Sequence, residues 1–197
     1  MIFNNNLTWD NEIGNLCSNL HNRIYNINKL KDITNFNTRL NFLNAYVIGK
    51  MRYMLPIYMG TNNENITKLH KVIMRAARTA RGHYCCRQNI TSILSSCKWM
   101  PIAKMITHSA MVTIHTILMK QTPQSLINLF NNIALTPTTK NLALKYTPRT
   151  TKFQKFYLFS GLKIYNNLPP KMKLKSIPIF KKLSKKWLLN GVNDSND

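Results

Sequence analysis

The sequence predicts an all-α fold of about five to seven helices, and three observations carry that prediction. Apolar residues recur at spacings of three and four along most of the chain, the period of a helix buried on one face. Of 197 residues, 44% are hydrophobic and 10% aromatic, too apolar a mixture for a disordered basic tail. Only 6 Gly and 8 Pro interrupt it, which argues against low complexity. A folded chain of 22.9 kDa buries about 70% of its extended surface, enough for a substantial core.

The elements follow in order. Asp10, with Ile13 behind it, marks a helix start, and Ile13, Leu16, Leu20, Ile24, Ile27 and Leu30 form one stripe. A second helix is expected from about Asn35 to Met54, with Phe36, Leu40, Leu43, Val47 and Met51 inward and Phe42, Tyr46 and Tyr53 flanking them. Pro56 stops it, and Gly60-Thr61-Asn62-Asn63 reads as a loop. A third helix spans about Asn65 to Arg81, with Gly82 as its C-terminal cap. Its apolar side is Leu69, Val72, Ile73, Ala76, Ala77 and Ala80. Its other side is Lys68, Lys71, Arg75, Arg78 and Arg81, spaced 3, 4, 3 and 3.

Shorter helices are expected around Ile90–Cys97, then Ile102–Lys120 on Ile106, Ala110, Ile114 and Ile117, then Leu126–Leu135. Pro137, Pro148 and the Thr-rich stretch between them predict irregular chain. A boundary near residue 136 therefore divides a bundle at 1–136 from a basic and aromatic segment at 137–197. In that segment Arg149, Lys152, Lys155 and Lys163 alternate with Phe153, Phe156, Tyr157, Phe159 and Tyr165. After the turn at Leu168-Pro169-Pro170, a basic C-terminal helix runs from Ile177 to Leu189. Phe180, Leu183, Trp187 and Leu188 line one side of it, and Lys181, Lys182, Lys185 and Lys186 the other.

Charge narrows the function. Twenty-eight Lys and Arg against six Asp and Glu give a formal charge of +22, an imbalance that an anionic partner would neutralise. The carboxylates are Asp10, Glu12, Asp32, Glu64, Asp194 and Asp197, so none lies between Asn65 and Asn193. Two-metal phosphoryl transfer needs carboxylates to hold its ions, glycoside hydrolysis needs a carboxyl pair, and a His general base wants an acidic orienter. The chain alone is therefore not expected to be an enzyme.

No basic and apolar leader opens the sequence, and no apolar run approaches the ~20 residues of a membrane helix. Cys17, Cys85, Cys86 and Cys97 do not form a disulfide framework, so the expected setting is a reduced intracellular one, nucleus or cytoplasm. His83, Cys85, Cys86 and Cys97 lack the spacing of a zinc site, because adjacent thiolates rarely share an ion and no CxxC pair exists. No metal or cofactor is expected, and buried thiols are the default.

Four stretches, in order, resemble the region after the palm of non-LTR (LINE-type, jockey-like) retrotransposon reverse transcriptases. Leu7-Thr8-Trp9-Asp10 with Glu12-Ile13 is similar to the junction of the last palm strand with the first thumb helix. Arg52-Tyr53-Met54-Leu55-Pro56 resembles the end of the next thumb helix, and Leu69 to Arg78 the basic helix after it. Gly161-Leu162-Lys163-Ile164-Tyr165-Asn166-Asn167-Leu168-Pro169 resembles that family's Trp/Tyr-Asn-x-Leu-Pro stretch, and Phe180-Lys181-Lys182-Leu183 follows it as a basic terminal helix does there. The resemblance implies a thumb-like helical bundle that holds primer–template duplex. The paired Asp of the palm, the endonuclease and the Cys/His knuckle of the family have no counterpart here. Polymerisation would then belong to a larger parent chain, of which this is a fragment or a repurposed descendant.

The candidate nucleic-acid-binding residues are Lys68, Lys71, Arg75, Arg78, Arg81, Arg149, Lys152, Lys155, Lys181, Lys182, Lys185 and Lys186. The first five are expected to position a phosphate backbone, with no carboxylate among them to form i,i+4 pairs. The bland alternative is a solvated helix face. Phe153, Phe156 and Phe159 are spaced as core residues, with base stacking as the alternative. The terminal lysines suit nucleic acid, nuclear import, or an anionic membrane surface in decreasing order. The partner expected is therefore DNA, RNA or their hybrid, with an acidic protein as the alternative and a membrane disfavoured.

Overall fold

The computed structural model describes residues 9–82, 90–119, 122–133, 149–150, 154 and 156–190. Among them every regular element is helical and no strand occurs, so the fold is all-α. The chain forms two compact units: one holds residues up to 54 together with 61–103, the other 55–60 together with 104 onward. The division expected near residue 136 falls within 134–148, outside the described residues.

The first unit is built from α1 (Asp10–Lys29), α2 (Phe36–Leu43), a π-helical turn (Asn44–Ile48), α3 (Gly49–Arg52), α4 (Asn63–Arg81) and α5 (Ile90–Ser96). Helix α1 buries Ile13, Leu16, Cys17, Leu20, Ile24 and Ile27, the anticipated stripe up to Leu30, which lies beyond the helix end and is exposed. Side-chain caps start two helices. Asn35 accepts from the Thr38 amide at 2.9 Å and Asn62 from the Asn65 amide at 2.8 Å. Asn63, assigned to a loop by its composition, is thus the first residue of α4.

The single helix expected from Asn35 to Met54 is interrupted by the π turn, where one extra residue per turn is accommodated. Its first residue, Asn44, accepts a hydrogen bond from the Trp99 indole N–H at 2.8 Å, a partner 55 residues away. Of the expected stripe Leu43, Val47 and Met51 are buried, together with Ile48, and Phe36 and Leu40 are half-buried; the flanking Phe42, Tyr46 and Tyr53 are exposed.

Helices α1 and α4 lie side by side and parallel. Asp10 meets Asn62 and Asn65 at one end, and His21 meets Arg75 further along. Both C-terminal ends therefore gather their unpaired carbonyls at the same end of the unit. Arg39, reaching in from α2 and only 7% exposed, meets this need. Its Nε donates to the Ala80 carbonyl at 3.0 Å, and one terminal nitrogen donates to the carbonyls of Lys31, at 2.9 Å, and Thr34. Gly82 ends α4 at φ +75°, and a Cβ there would stand 3.0 Å from the Arg39 guanidinium. Glycine is required here by the left-handed backbone and by the close approach together.

The second unit contains a 3₁₀ turn (Ile57–Gly60), most of α6 (Ile102–Leu118), α7 (Gln124–Ile133), α8 (Tyr157–Asn166), α9 (Pro170–Lys173) and α10 (Ile177–Asn190). Its core joins Met111, Ile114 and Ile117 of α6 to Leu158, Phe159, Leu162 and Tyr165 of α8 and Phe180 of α10. Tyr58 of the 3₁₀ turn, which packs on α8, is fully buried. Gly161 lets α8 approach α6, since a Cβ there would meet the Ile114 Cδ1 at 2.9 Å. The turn read at Leu168-Pro169-Pro170 leads directly into α9, with Pro170 at its first position, where the missing N–H is not needed.

Candidate nucleic-acid interface

The basic stripe of α4 is fixed in place by what the rest of that helix does. Leu69, Val72, Ile73, Ala76, Ala77 and Ala80 have no exposed surface, and Asn65, Met74 and Thr79 are also buried. Burying side chains such as Leu69 and Ile73 is worth roughly 2 kcal/mol each, so the rotation of α4 is set by its core. A narrow strip is left for solvent. Lys68, Lys71 and Arg75 are exposed on it, while Arg78 and Arg81, nearer the C-terminal end, are half-buried.

Lys68 is not free of carboxylates, contrary to expectation. Glu64, one turn earlier, pairs with it at 2.8 Å, and that hydrogen bond raises the lysine's pKa from its ordinary value. Both side chains are exposed, so the pair adds little stability. It does leave the net positive field to Lys71, Arg75, Arg78 and Arg81, because Glu64 is the only carboxylate on α4.

Helix α1 contributes residues that sequence reasoning missed. The Nδ1 of His21 lies 3.4 Å from a terminal nitrogen of Arg75. Burial, and then the charge of Arg75, hold the His21 pKa below its ordinary value. At neutral pH the ring is therefore uncharged. Four and eight residues further along the same side stand Tyr25, 54% exposed, and Lys29, whose ammonium sits 4.7 Å from the Tyr25 ring centroid. Cations and an aromatic thus line the edge of α1 next to the α4 strip. The signal was present in the 21, 25, 29 spacing, but it shows only once α1 is known to neighbour α4.

The remaining candidates lie in the second unit or outside the described residues. Lys181, Lys182 and Lys186 of α10 are exposed and Lys185 is half-buried, on the side opposite Phe180 and Ser184. Arg149 is exposed; Lys152 and Lys155 lie outside the described residues, as does Phe153. Phe159 is a core residue and Phe156 is half-buried at the N-cap of α8. That placement agrees with packing rather than base stacking.

Cys17 and Cys97 are buried thiols whose pKa values burial raises, which keeps them protonated. His83, Cys85 and Cys86 lie outside the described residues, among which no group of three His, Cys, Asp or Glu converges. No helix among those residues is long and apolar enough to cross a membrane.

The Tyr-Asn-x-Leu-Pro stretch, conspicuous in the sequence, is a structural corner. Tyr165 and Leu168 are buried, and Pro169 caps α9. The Tyr165 hydroxyl stands 2.9 Å from the Nδ1 of His115, and the His115 Nε2 stands 2.9 Å from the Lys175 carbonyl. A carbonyl only accepts, so Nε2 carries the proton and Nδ1 accepts from Tyr165. The His115 ring stacks on Phe180 with centroids 4.0 Å apart and planes 13° from parallel. Burial holds His115 below its ordinary pKa and pushes Tyr165 up to about 12, so both are neutral.

Comparison with protein-family models, curated proteins and solved structures finds no match.

Proposed function

We propose that this chain is a non-catalytic nucleic-acid-binding module that holds the phosphate backbone of a duplex or an RNA–DNA hybrid. The observation that carries the proposal is the α4 strip: Lys71, Arg75 and Arg78 along one rigidly seated helix whose only carboxylate, Glu64, is already engaged by Lys68. Aligned cations on a fixed helix suit phosphates at regular spacing, and they confer affinity without sequence preference. Lys29 and Tyr25 on the neighbouring edge of α1 extend the same surface. The resemblance to the region after the palm of LINE-type reverse transcriptases supports this reading, since a thumb grips primer–template duplex. The parent chain, and not this segment, would then polymerise.

Binding to a labelled duplex should weaken steeply with salt, with log K against log salt sloping by about −0.9 per phosphate contacted. Replacing Arg75 and Arg78 with Ala should flatten the slope by about two contacts. An unchanged slope removes these residues from the interface.

A second reading has its own support. Leu174 and Ile179 are 83% and 48% exposed beside the lysines of α9 and α10, a mixture that suits an acidic protein partner. Partners retained from an extract after nuclease treatment, at moderate salt, would favour that reading.

A further inference from the structure

The α2–α3 segment presents a second surface, on the other flank of α1. Residues 21 and 23 point to opposite sides of that helix: His21 toward Arg75 of α4, Arg23 toward the π turn, where its guanidinium donates to the Tyr46 carbonyl at 3.3 Å. On this second side Phe42, Tyr46, Lys50 and Tyr53 follow one another at intervals of four, four and three residues, and all are exposed. The aromatics are 36%, 54% and 82% exposed, and the rings of Phe42 and Tyr46 lie 6.5 Å apart, tilted by 38°. Over eleven residues the row extends about 16 Å.

Intervals of four, four and three keep the row on one face by ordinary helical spacing, and it stays outward while Leu43, Val47, Ile48 and Met51 are buried. A single exposed aromatic needs no explanation; a row of three on one helix face does. The charge around the row identifies its ligand. Arg23, Lys50 and Arg52 are exposed near it, and the sequence has no carboxylate from residue 33 to residue 63.

We infer that Phe42, Tyr46 and Tyr53 form a stacking platform for the bases of single-stranded nucleic acid, with Arg23 and Lys50 holding its phosphates. Aromatic rings between cations bind unpaired bases without sequence preference, because every base offers a π face. Duplex, with its bases already stacked on one another, cannot use such a platform. The two flanks of α1 would therefore serve different states of the same polymer, the α4 side a duplex and the α2 side a strand running away from it. The inference does not need the α4 strip to bind anything.

The test compares a labelled twelve-residue oligothymidylate with an abasic strand of the same length and charge. Oligothymidylate should bind at least tenfold more tightly. Tyr46→Ala with Tyr53→Ala should weaken it by about thirtyfold or more and leave the abasic strand unchanged, while Tyr46→Phe retains binding. Both tyrosines are surface residues, so the variants should melt as the parent does. Equal binding of the two strands, or no effect of the double substitution, overturns the inference. So does a polyglutamate peptide whose binding falls with the same substitutions, which would assign the row to an acidic protein segment. Failure here leaves the salt slope on duplex intact, and failure of the Arg75 and Arg78 test leaves the base-dependent difference intact.

Discussion

Arg39 and His115 perform the same task in the two units and do it with opposite chemistry. Each is a basic side chain buried in a core, and each donates hydrogen bonds to backbone carbonyls that no helix satisfies: Arg39 to Lys31, Thr34 and Ala80, His115 to Lys175. Arg39 brings a guanidinium to the place where two parallel helices end. His115 is neutral, held between the Tyr165 hydroxyl and a carbonyl and stacked on Phe180, in a buried site that disfavours the charged ring. Where carbonyl dipoles converge, a permanent cation suits the site; where an aromatic wall surrounds the group, only an uncharged ring does. The second unit should therefore carry its acid sensitivity in its core.

The largest expected effect comes from breaking the first tie. Arg39→Ala leaves several buried carbonyls without donors and removes a cation from two helix ends, which should cost about 3 kcal/mol or more. Amide hydrogen exchange should show the loss along α1 and α4, and Arg39→Lys should restore only part of it, because an ammonium cannot span the same three carbonyls. Full stability in Arg39→Ala would mean that the guanidinium is incidental.

The comparison is sharpened by pH. The His115 pKa is lower in the folded protein than in the unfolded chain, where it is about 6.5. The unfolded state thus binds more protons as pH falls through that range, so the second unit is most stable above about pH 6.5 and loses stability below it. Amides of α8 and α10 should lose protection between about pH 7 and pH 5 while those of α4 keep most of theirs. His21 titrates in the same direction in the first unit, but its ring is half-buried at the surface and not in the core. His115→Gln should cost about 1–3 kcal/mol at pH 7.5 and flatten the pH dependence of the second unit. A dependence as steep as before would place the acid sensitivity elsewhere.

The smallest effect concerns helix ends. Helix α4 ends on Gly82, but after α5 the left-handed position, φ 56°, is held by Lys98. A side chain there costs about 1 kcal/mol, so Lys98→Gly should stabilise the first unit by up to that amount in a thermal melt. Destabilisation would show that the Lys98 side chain makes contacts worth more than the strain.

Much of this architecture was legible because it is local. The stripe of α1, the apolar and basic sides of α4 and the cap at Gly82 all follow from residues within a few turns of one another. What stayed hidden depends on distant partners. Arg39 read as one more cation in a basic chain, and only Ala80, 41 residues away, reveals it as a structural tie. The π turn was not legible either, and its first residue, Asn44, has its partner in Trp99, 55 residues away. The α4 cations were legible as a row, whereas the engagement of Lys68 by Glu64 and the half-burial of Arg78 and Arg81 were not. Tyr165-Asn166-Asn167-Leu168-Pro169 stood out in the sequence, yet its role as a corner under His115 depends on a residue 50 positions away.

The sequence by itself determined that the chain is helical, strongly cationic and short of carboxylates, since period and composition are properties of neighbouring residues. Only the tertiary structure decided which cations face water, which one is buried to satisfy helix ends, and which aromatics are left outside. Those outcomes depend on which helices lie against each other, and the pairings are made by residues dozens of positions apart.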